Sequence, residues 1–403
     1  MRSTFLSIVL VASSAAFVMG QQQAQPAQPA EPAAEDPIRT IVGRLDLEKY
    51  KATIKSLTQF GDRRQGTARN AAAIDWIEAQ LKSYGCTNTE RIKYEYVPVP
   101  RTEGAGRGRG GRGGGNPPKG FRGPTGVNND PMKQPNEKLR ELNTPPSEPG
   151  PREEVYCTKI GTTRPGEMYI IGGHMDGIGY GEAANDDGSG TAIVMELARI
   201  LHSPDVQTDV SIRFILWNNE ESGLNGSRSY VEQRRELQGK ESPAGSGRYP
   251  EPRWLGMIQH DMMMFDHGMP RADGTVSPEQ RPEADVNVEF AGTSKMAAES
   301  QALAWAFRAA NDRYATDYPA AVGNRMQSTD SVPFQDFVAA ISLRENERGA
   351  HIGTGWDPHW HKPTDVFTTF SDKDFRLGLN AAQTTLAAVS QLAGAKLTKP
   401  RSY

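Results

Sequence analysis

Residues 168–202 read MYIIGGHMDGIGYGEAANDDGSGTAIVMELARILH, and this stretch decides the fold class. An apolar run at residues 168–174 predicts a buried strand, whereas apolar residues recur at helical spacing through residues 188–202. The loop between the two is polar and contains glycine, histidine and aspartate. A strand, a loop and a helix in this order predict one unit of a sheet with parallel strands.

The same alternation of strand and helix patterns continues on both sides of this unit. We therefore predict an α/β fold with three layers, in which helices flank a mostly parallel central sheet on both faces. Functional sites in such sheets lie at the carboxyl ends of the strands. The predicted strands cover residues 91–99, 155–160, 168–174, 210–218, 255–261, 286–290 and 339–343, and the predicted helices cover residues 45–60, 70–84, 188–202, 295–314 and 372–392.

The beginning of the chain and one internal segment lack this regularity. Residues 1–20 combine Arg2 with an apolar run and small residues, which predicts a secretory signal peptide, with a short membrane anchor as the alternative. Residues 21–44 predict a flexible spacer, and residues 45–397 predict a single domain. Within it, about residues 100–152, rich in Gly, Arg and Pro, predict a disordered insertion. The signal peptide implies a secreted or periplasmic location.

Composition excludes some classes of function but does not decide whether the two cysteines form a disulfide. The chain has 403 residues and a formal net charge of −3, so we predict no nucleic-acid partner, despite the arginines in the Gly-rich run. No membrane partner is predicted once the signal is removed. The two cysteines, Cys86 and Cys157, lie near neighbouring predicted strands, and the sequence leaves their pairing undecided.

Residue types that bind metals follow several predicted strands. His174-Met175-Asp176 ends one strand, and Asn185-Asp186-Asp187 follows in the loop that opens a helix. Glu220-Glu221 and His260-Asp261 end two further strands, and His359-Trp360-His361 lies in a late loop. Burying so many carboxylates is costly without a cation, and a divalent metal supplies the positive charge. Imidazole and carboxylate ligands without cysteine suit hydrolytic zinc.

Five short motifs from these segments carry a resemblance to a known family. In chain order they are HMD at residues 174–176, ANDDGSG at 184–190, NNEESG at 218–223, HDM at 260–262 and HKPTD at 361–365. The set resembles the secreted di-zinc aminopeptidase family, which also contains glutamate carboxypeptidases and glutaminyl cyclases. The resemblance covers residues 45–95 and 153–393. It implies a zinc-dependent exopeptidase that hydrolyses N-terminal residues of peptides, with two Zn²⁺ ions that Co²⁺ or Mn²⁺ can replace.

The resemblance also implies which residues bind the metals and act on the substrate. Asp186 is expected to bridge the two ions and Glu220 to act as the general base. The remaining expected ligands are His174 and Asp261 for one ion, and Glu221 and His361 for the other.

Further residues are expected to support these ligands or to contact the substrate. Asp176 is expected to hold the ring N–H of His174, Asp365 to do the same for His361, and Asp187 to fix the turn that presents Asp186. Asp330 falls in a stretch similar to a substrate-proximal motif of the family, although Thr329 and Ser331 depart from it. Trp356 and Trp360 are candidates for the wall of a specificity pocket.

Three other functions stay open at this point. A glutaminyl cyclase would use the same fold, and so would a carboxypeptidase that removes acidic residues. The latter needs basic residues in its pocket, for which Arg325 and Arg344 are candidates. A binding protein that kept the fold and lost catalysis is the third alternative, although every implied ligand and the base are present.

Overall fold

A computed structural model describes residues 36–96, 127–266, 286–345 and 357–398. The strands are β1 Glu90–Tyr96, β2 Gly150–Lys159, β3 Arg164–His174, β4 Val206–Gln207, β5 Val210–Trp217, β6 Arg253–His260, β7 Val286–Phe290, β8 Ala320–Gly323, β9 Ala340–Arg344 and β10 Lys396–Leu397. The α-helices are α1 Pro37–Val42, α2 Leu47–Thr58, α3 Ala68–Ser83, α4 Glu137–Asn143, α5 Gly188–Leu201, α6 Asn225–Arg234, α7 Ala297–Tyr314 and α8 Asp372–Leu392.

Eight of these strands form one mixed sheet in the order β1-β2-β5-β3-β6-β9-β7-β8. The four central strands, β5, β3, β6 and β9, run parallel to one another, and antiparallel pairs join them to the outer strands on either side. In the register, His174 pairs with Trp217, and Gly173 pairs with His260. The carboxyl ends of the central strands therefore meet at one edge of the sheet.

Apolar side chains separate to the two faces of the sheet, and helices cover both faces. Ile170 and Ile171 are neighbours on β3, yet Ile171 joins one core cluster with the side chains of α5, whereas Ile170 joins the other with Tyr230 of α6. This follows from the alternation of side chains along a strand. The three-layer α/β fold with a mostly parallel centre is confirmed.

Two of the helices, α2 and α5, begin at aspartate caps. Asp46 caps α2 through a bond from the Lys49 amide. Asp187 caps α5, because its side chain accepts the backbone N–H of Gly190. Such caps satisfy amides that have no partner within the helix.

The spacer prediction for residues 21–44 is wrong at its end, because α1 lies within it. Asp36 caps this helix, and Ile38 and Ile41 are buried in the core. A helix of six residues is too short to show a clear period beside the Pro- and Gln-rich sequence before it. The predicted signal peptide and the first part of the spacer lie outside the described residues.

The prediction of disorder for residues 100–152 is wrong from residue 127 onward. This segment contains a 3₁₀ turn, α4 and the start of β2. Leu139 is the one large apolar side chain that α4 buries. Polar bonds to neighbouring loops hold the segment instead, and such bonds leave no periodic pattern in the sequence. Residues 100–126 are outside the described part of the chain.

Cys86 and Cys157 form a disulfide, with 6.3 Å between their Cα atoms. The bond links the chain just after α3 to β2, across a sequence separation of 71 residues. The pairing that the sequence left undecided is thereby resolved. Within the described ranges, no helix is both long and apolar enough to cross a membrane.

Candidate metal centre

The metal-ligand residue types converge at the carboxyl edge of the central strands. His174 is the last residue of β3, and Asp186 lies in the loop that leads into α5. Glu221 follows β5, and Asp261 comes directly after β6. His361 lies in the loop that precedes α8. The sequence therefore places these side chains at the edge where the rule for parallel sheets expects a site.

The five side chains form two groups that share Asp186. In one group, His174 Nε2 lies 3.3 Å from Asp186 Oδ1 and 3.9 Å from Asp261 Oδ1. In the other, His361 Nε2 lies 2.9 Å from both Asp186 Oδ2 and Glu221 Oε2. Within each group, one potential ligand atom from every residue lies within 4.8 Å of the others. Because the two Asp186 oxygens face different groups, one carboxylate can bridge two ions.

The charges of the cluster need a cation. Burial raises the pKa of Glu220 well above its usual range; His174 lowers this pKa, and neighbouring carboxylates, Glu221 first, raise it. Burial lowers the pKa of His174, but Glu220 and Asp186 raise it by more, so it lies well above its usual range. Glu221 Oε1 is buried and accepts no hydrogen bond from the described residues. Imidazole and carboxylate donors that crowd in this way fit divalent metal ions.

A third group of metal-ligand residue types lies elsewhere and does not fit a metal. It consists of Cys86, Cys157 and His202, with His202 Nε2 3.5 Å from Cys157 Sγ. The two sulfurs are bonded to each other, so neither is the thiolate that a metal requires.

Asp187 and Asp365 fix the loop that carries Asp186. Asp187 accepts the amides of His174 at 3.0 Å and of Gly190 at 2.8 Å, which ties β3 to the start of α5. Asp365 accepts the amides of Asn185 at 2.8 Å and of Asp186 at 3.1 Å. His361 Nδ1 makes no hydrogen bond within the described residues, so the expectation that Asp365 holds the His361 ring is wrong. Its carboxylate fixes the backbone of the shared aspartate.

Asp176 also acts differently from the expectation. His174 Nδ1 lies 2.9 Å from the backbone oxygen of Asp176, whereas the carboxylate oxygen is 3.8 Å away. The carboxylate accepts the amide of Glu220 at 3.0 Å instead. Asp176 thus orients the His174 ring through its carbonyl and the Glu220 loop through its side chain, and buried partners of this kind set ligand geometry.

The loop of His361 is held by residues that the sequence analysis missed. The amide of Asn128 donates to the His361 carbonyl at 3.0 Å, and its side-chain amide donates to the Gly179 carbonyl at 3.1 Å. Gln134 Nε2 donates to the carbonyls of Tyr180 at 2.8 Å and Pro363 at 2.9 Å. His361 adopts a φ of 57°, which is rare for a residue with a side chain. The segment that starts at residue 127 thereby supports one metal ligand.

A cavity of about 380 Å³ opens onto the two groups and onto Glu220. Its outer wall adds Gly223, Leu224, Arg228, Ser328 and Trp360. The Trp360 ring stacks on the His361 ring with 4.0 Å between centroids, so Trp360 lies where the pocket wall was expected.

Asp330, and the two arginines considered for a carboxypeptidase pocket, lie away from the cavity. Asp330 is fully buried, does not line the cavity and accepts the Ser227 hydroxyl at 2.5 Å, so its expected contact with substrate is wrong. Arg344 is buried 3.2 Å from Asp261, and Arg325 does not line the cavity. Trp356 lies outside the described residues.

Parallel sheets carry their sites at the carboxyl ends of the strands, and a pair of metal sites there can activate water for hydrolysis. The arrangement is therefore that of a metal-dependent hydrolase, and comparison of the sequence with known families agrees with this class. Residues 155–384, more than half of the chain, match the model of peptidase family M28, and the chain belongs to this family.

Curated relatives match the chain over short stretches. Aminopeptidase YwaD of Bacillus subtilis is 41% identical over 76 residues, which is 19% of this chain and 16% of that protein. The probable lipoprotein aminopeptidase LpqL of Mycobacterium tuberculosis is 40% identical over 82 residues, 20% of this chain and 16% of that protein. The aligned part therefore spans less than a fifth of either relative.

Solved structures match the fold over most of the chain. The LapA aminopeptidase of Legionella pneumophila has a TM-score of 0.59 at 16% identity, covering 93% of this chain and 79% of that one. A zinc aminopeptidase of Bacillus subtilis has a TM-score of 0.55 at 16% identity, and the match covers 86% of this chain and 95% of that one. The glutaminyl cyclase of Porphyromonas gingivalis also has a TM-score of 0.55, at 15% identity, covering 86% and 99%. At these identities the likeness shows the fold alone.

Proposed function

We propose that this chain is a secreted zinc-dependent aminopeptidase that removes N-terminal residues from peptides and uses two zinc ions bridged by Asp186. The observation that carries the proposal is the sharing of Asp186 between two groups of ligand atoms. Aminopeptidases among the relatives and the family itself support the reaction class. The disulfide supports the location, because such bonds persist in oxidising compartments.

Each proposed role corresponds to a position in the site. His174 and Asp261 would hold one ion, Glu221 and His361 the other, and Asp186 both. When bound, zinc would polarise the scissile carbonyl and lower the pKa of water toward neutrality. Glu220 lines the cavity beside these ligands without belonging to either group, so its carboxylate is available for proton transfer.

Glu220 would accept a proton from the attacking water and then deliver it to the leaving amine. Asp176 fixes the backbone amide of Glu220, which limits the positions that the carboxylate can take.

The proposal is tested with three substrates on the zinc-loaded protein. We expect hydrolysis of leucine p-nitroanilide and none of its N-acetylated form, because the free amino group is recognised. An N-terminal glutaminyl peptide tests the cyclase alternative, and an acetylated peptide with a C-terminal glutamate tests the carboxypeptidase alternative. Cyclisation without hydrolysis, or release of the C-terminal glutamate, would replace the proposed function with the corresponding alternative.

A further inference from the structure

One arginine lies in the wall of the cavity beside the proposed ligands. Arg228 belongs to α6, which begins directly after the loop that carries Glu220 and Glu221. Its Nε donates to the carbonyl of Gly223 at 3.1 Å, and its backbone amide donates to the Leu224 carbonyl at 3.0 Å. Arg228 is exposed, so it lies where the cavity meets solvent, and Nε makes the one side-chain hydrogen bond that it has within the described residues. Its two terminal nitrogens make none there.

Within the described residues, no carboxylate balances the charge of Arg228. No Asp or Glu of the described ranges forms an ion pair with it, in contrast to Arg344, which lies 3.2 Å from Asp261. The cavity walls carry the carboxylates of Asp186, Glu220, Glu221 and Asp261. On the proposed function, two divalent ions would offset these four negative charges. Arg228 would then leave the loaded cavity with an excess of positive charge at its mouth.

We propose that Arg228 determines substrate specificity by binding a carboxylate on the residue that follows the scissile bond. This inference rests on the proposed aminopeptidase function and names its substrate class. The guanidinium has a planar fork of donors that matches a carboxylate, and the pair of free nitrogens can bind both oxygens at once. The carboxylate is either the C-terminal group of a dipeptide or an acidic side chain in the second position of a longer peptide.

Two matched pairs of peptides separate these sources. Leu-Gly against Leu-Gly-amide isolates the terminal carboxylate, and Leu-Asp-amide against Leu-Asn-amide isolates the acidic side chain. The quantity measured is the ratio of kcat/KM within each pair, on the zinc-loaded protein. We expect the carboxylate-bearing member of at least one pair to be preferred about two- to fivefold, as for an ion pair with an exposed arginine. Higher salt should reduce the ratio, because the interaction is between charges.

Variants assign the preference to the arginine. Arg228→Gln should bring the ratio close to one. Arg228→Lys should keep only part of the wild-type preference, because lysine keeps the charge but lacks the planar pair of donors. Arg235→Gln is the control, since it removes an exposed arginine just beyond the end of α6 that does not line the cavity. It should keep the wild-type ratio.

The outcomes distinguish this inference from the function on which it rests. If the wild type hydrolyses the peptides with ratios near one, or if Arg228→Gln keeps the preference, Arg228 does not set specificity and the aminopeptidase proposal stands. If the zinc-loaded wild type hydrolyses none of the four peptides, the proposed function and this inference both fail.

Discussion

The contact between Gln134 and the His361 loop allows a sharp test of how the metal centre is held. Gln134 Nε2 donates to two backbone carbonyls, of Tyr180 and Pro363, and its Oε1 accepts the amide of Asn136. Gln134→Glu keeps the shape and the acceptor but replaces the donor with an oxygen. The two carbonyls then face a negative group instead of an N–H.

The cost can be worked out from these contacts. Gln134 is only 2% exposed, so water cannot easily replace the lost donor. Each half-buried carbonyl that loses its donor costs about 1–3 kcal/mol, so the two carbonyls give about 2–6 kcal/mol of local destabilisation. Partners that orient metal ligands contribute about 10–100-fold to metal affinity. We therefore expect zinc held by Glu221 and His361 to bind about 10–100-fold more weakly.

Zinc affinity is measured by competition with a chromophoric chelator, and unfolding by circular dichroism. The matched control is Gln238→Glu, because Gln238 also donates to a backbone carbonyl, of Arg235, and accepts a backbone amide, of Trp254. We expect the control to bind both ions as the wild type does. Equal loss of zinc in the two variants, or unchanged affinity in Gln134→Glu, would refute the role of this contact in holding His361.

Three further predictions concern the base, a buried acid and the disulfide. Glu220→Gln should lower kcat about 10²–10⁴-fold while zinc content by elemental analysis stays that of the wild type; loss of metal with activity would make Glu220 a ligand instead. Burial, followed by the nearby Asp330, raises the pKa of Glu154 well above its usual range, so the folded state keeps a proton that the unfolded state releases. The free energy of unfolding should then fall as pH rises from the pKa of Glu154 in the unfolded chain to its pKa in the folded one, by at most about 1.4 kcal/mol per pH unit. Glu154→Gln should flatten this slope and be more stable than the wild type at pH 8. Equal slopes for the two proteins, measured by urea unfolding at a series of pH values, would contradict the assignment. Replacing Cys86 and Cys157 with serine should cost about 4 kcal/mol of unfolding free energy, from loop closure over a separation of 71 residues, and an unchanged urea midpoint would show that the bond does not stabilise the fold.

Much of the fold was predictable because it depends on periodic patterns. The apolar run ending at His174 and the helical spacing of apolar residues after Asp187 are strong signals, and both elements are present as expected. The convergence of the metal-ligand residue types was also predictable, since parallel strands bring their carboxyl ends to one edge. His361 was different: it lies in an irregular loop, and only its motif HKPTD pointed to it.

The supporting contacts could not be read from the sequence. Asn128 and Gln134 are single polar residues in a stretch without a periodic pattern. They matter because their side chains donate hydrogen bonds to backbone carbonyls far along the chain. Asp365 and Asp330 lie within motifs, but a motif does not say which atoms a carboxylate contacts. Arg228 lies on α6, whose sequence has no clear apolar face, so its place in the cavity wall needed the structure.

Zinc stoichiometry in Asp186→Ala tests the shared carboxylate most directly. After dialysis against limiting free zinc, elemental analysis of the folded wild type should give two ions per chain, and Asp186→Ala should lose both, since each group of ligands would lack a member. Asp330→Asn, which alters a buried aspartate outside both groups, should keep two. One ion in the wild type, or undiminished zinc in Asp186→Ala, would contradict a centre built around this residue.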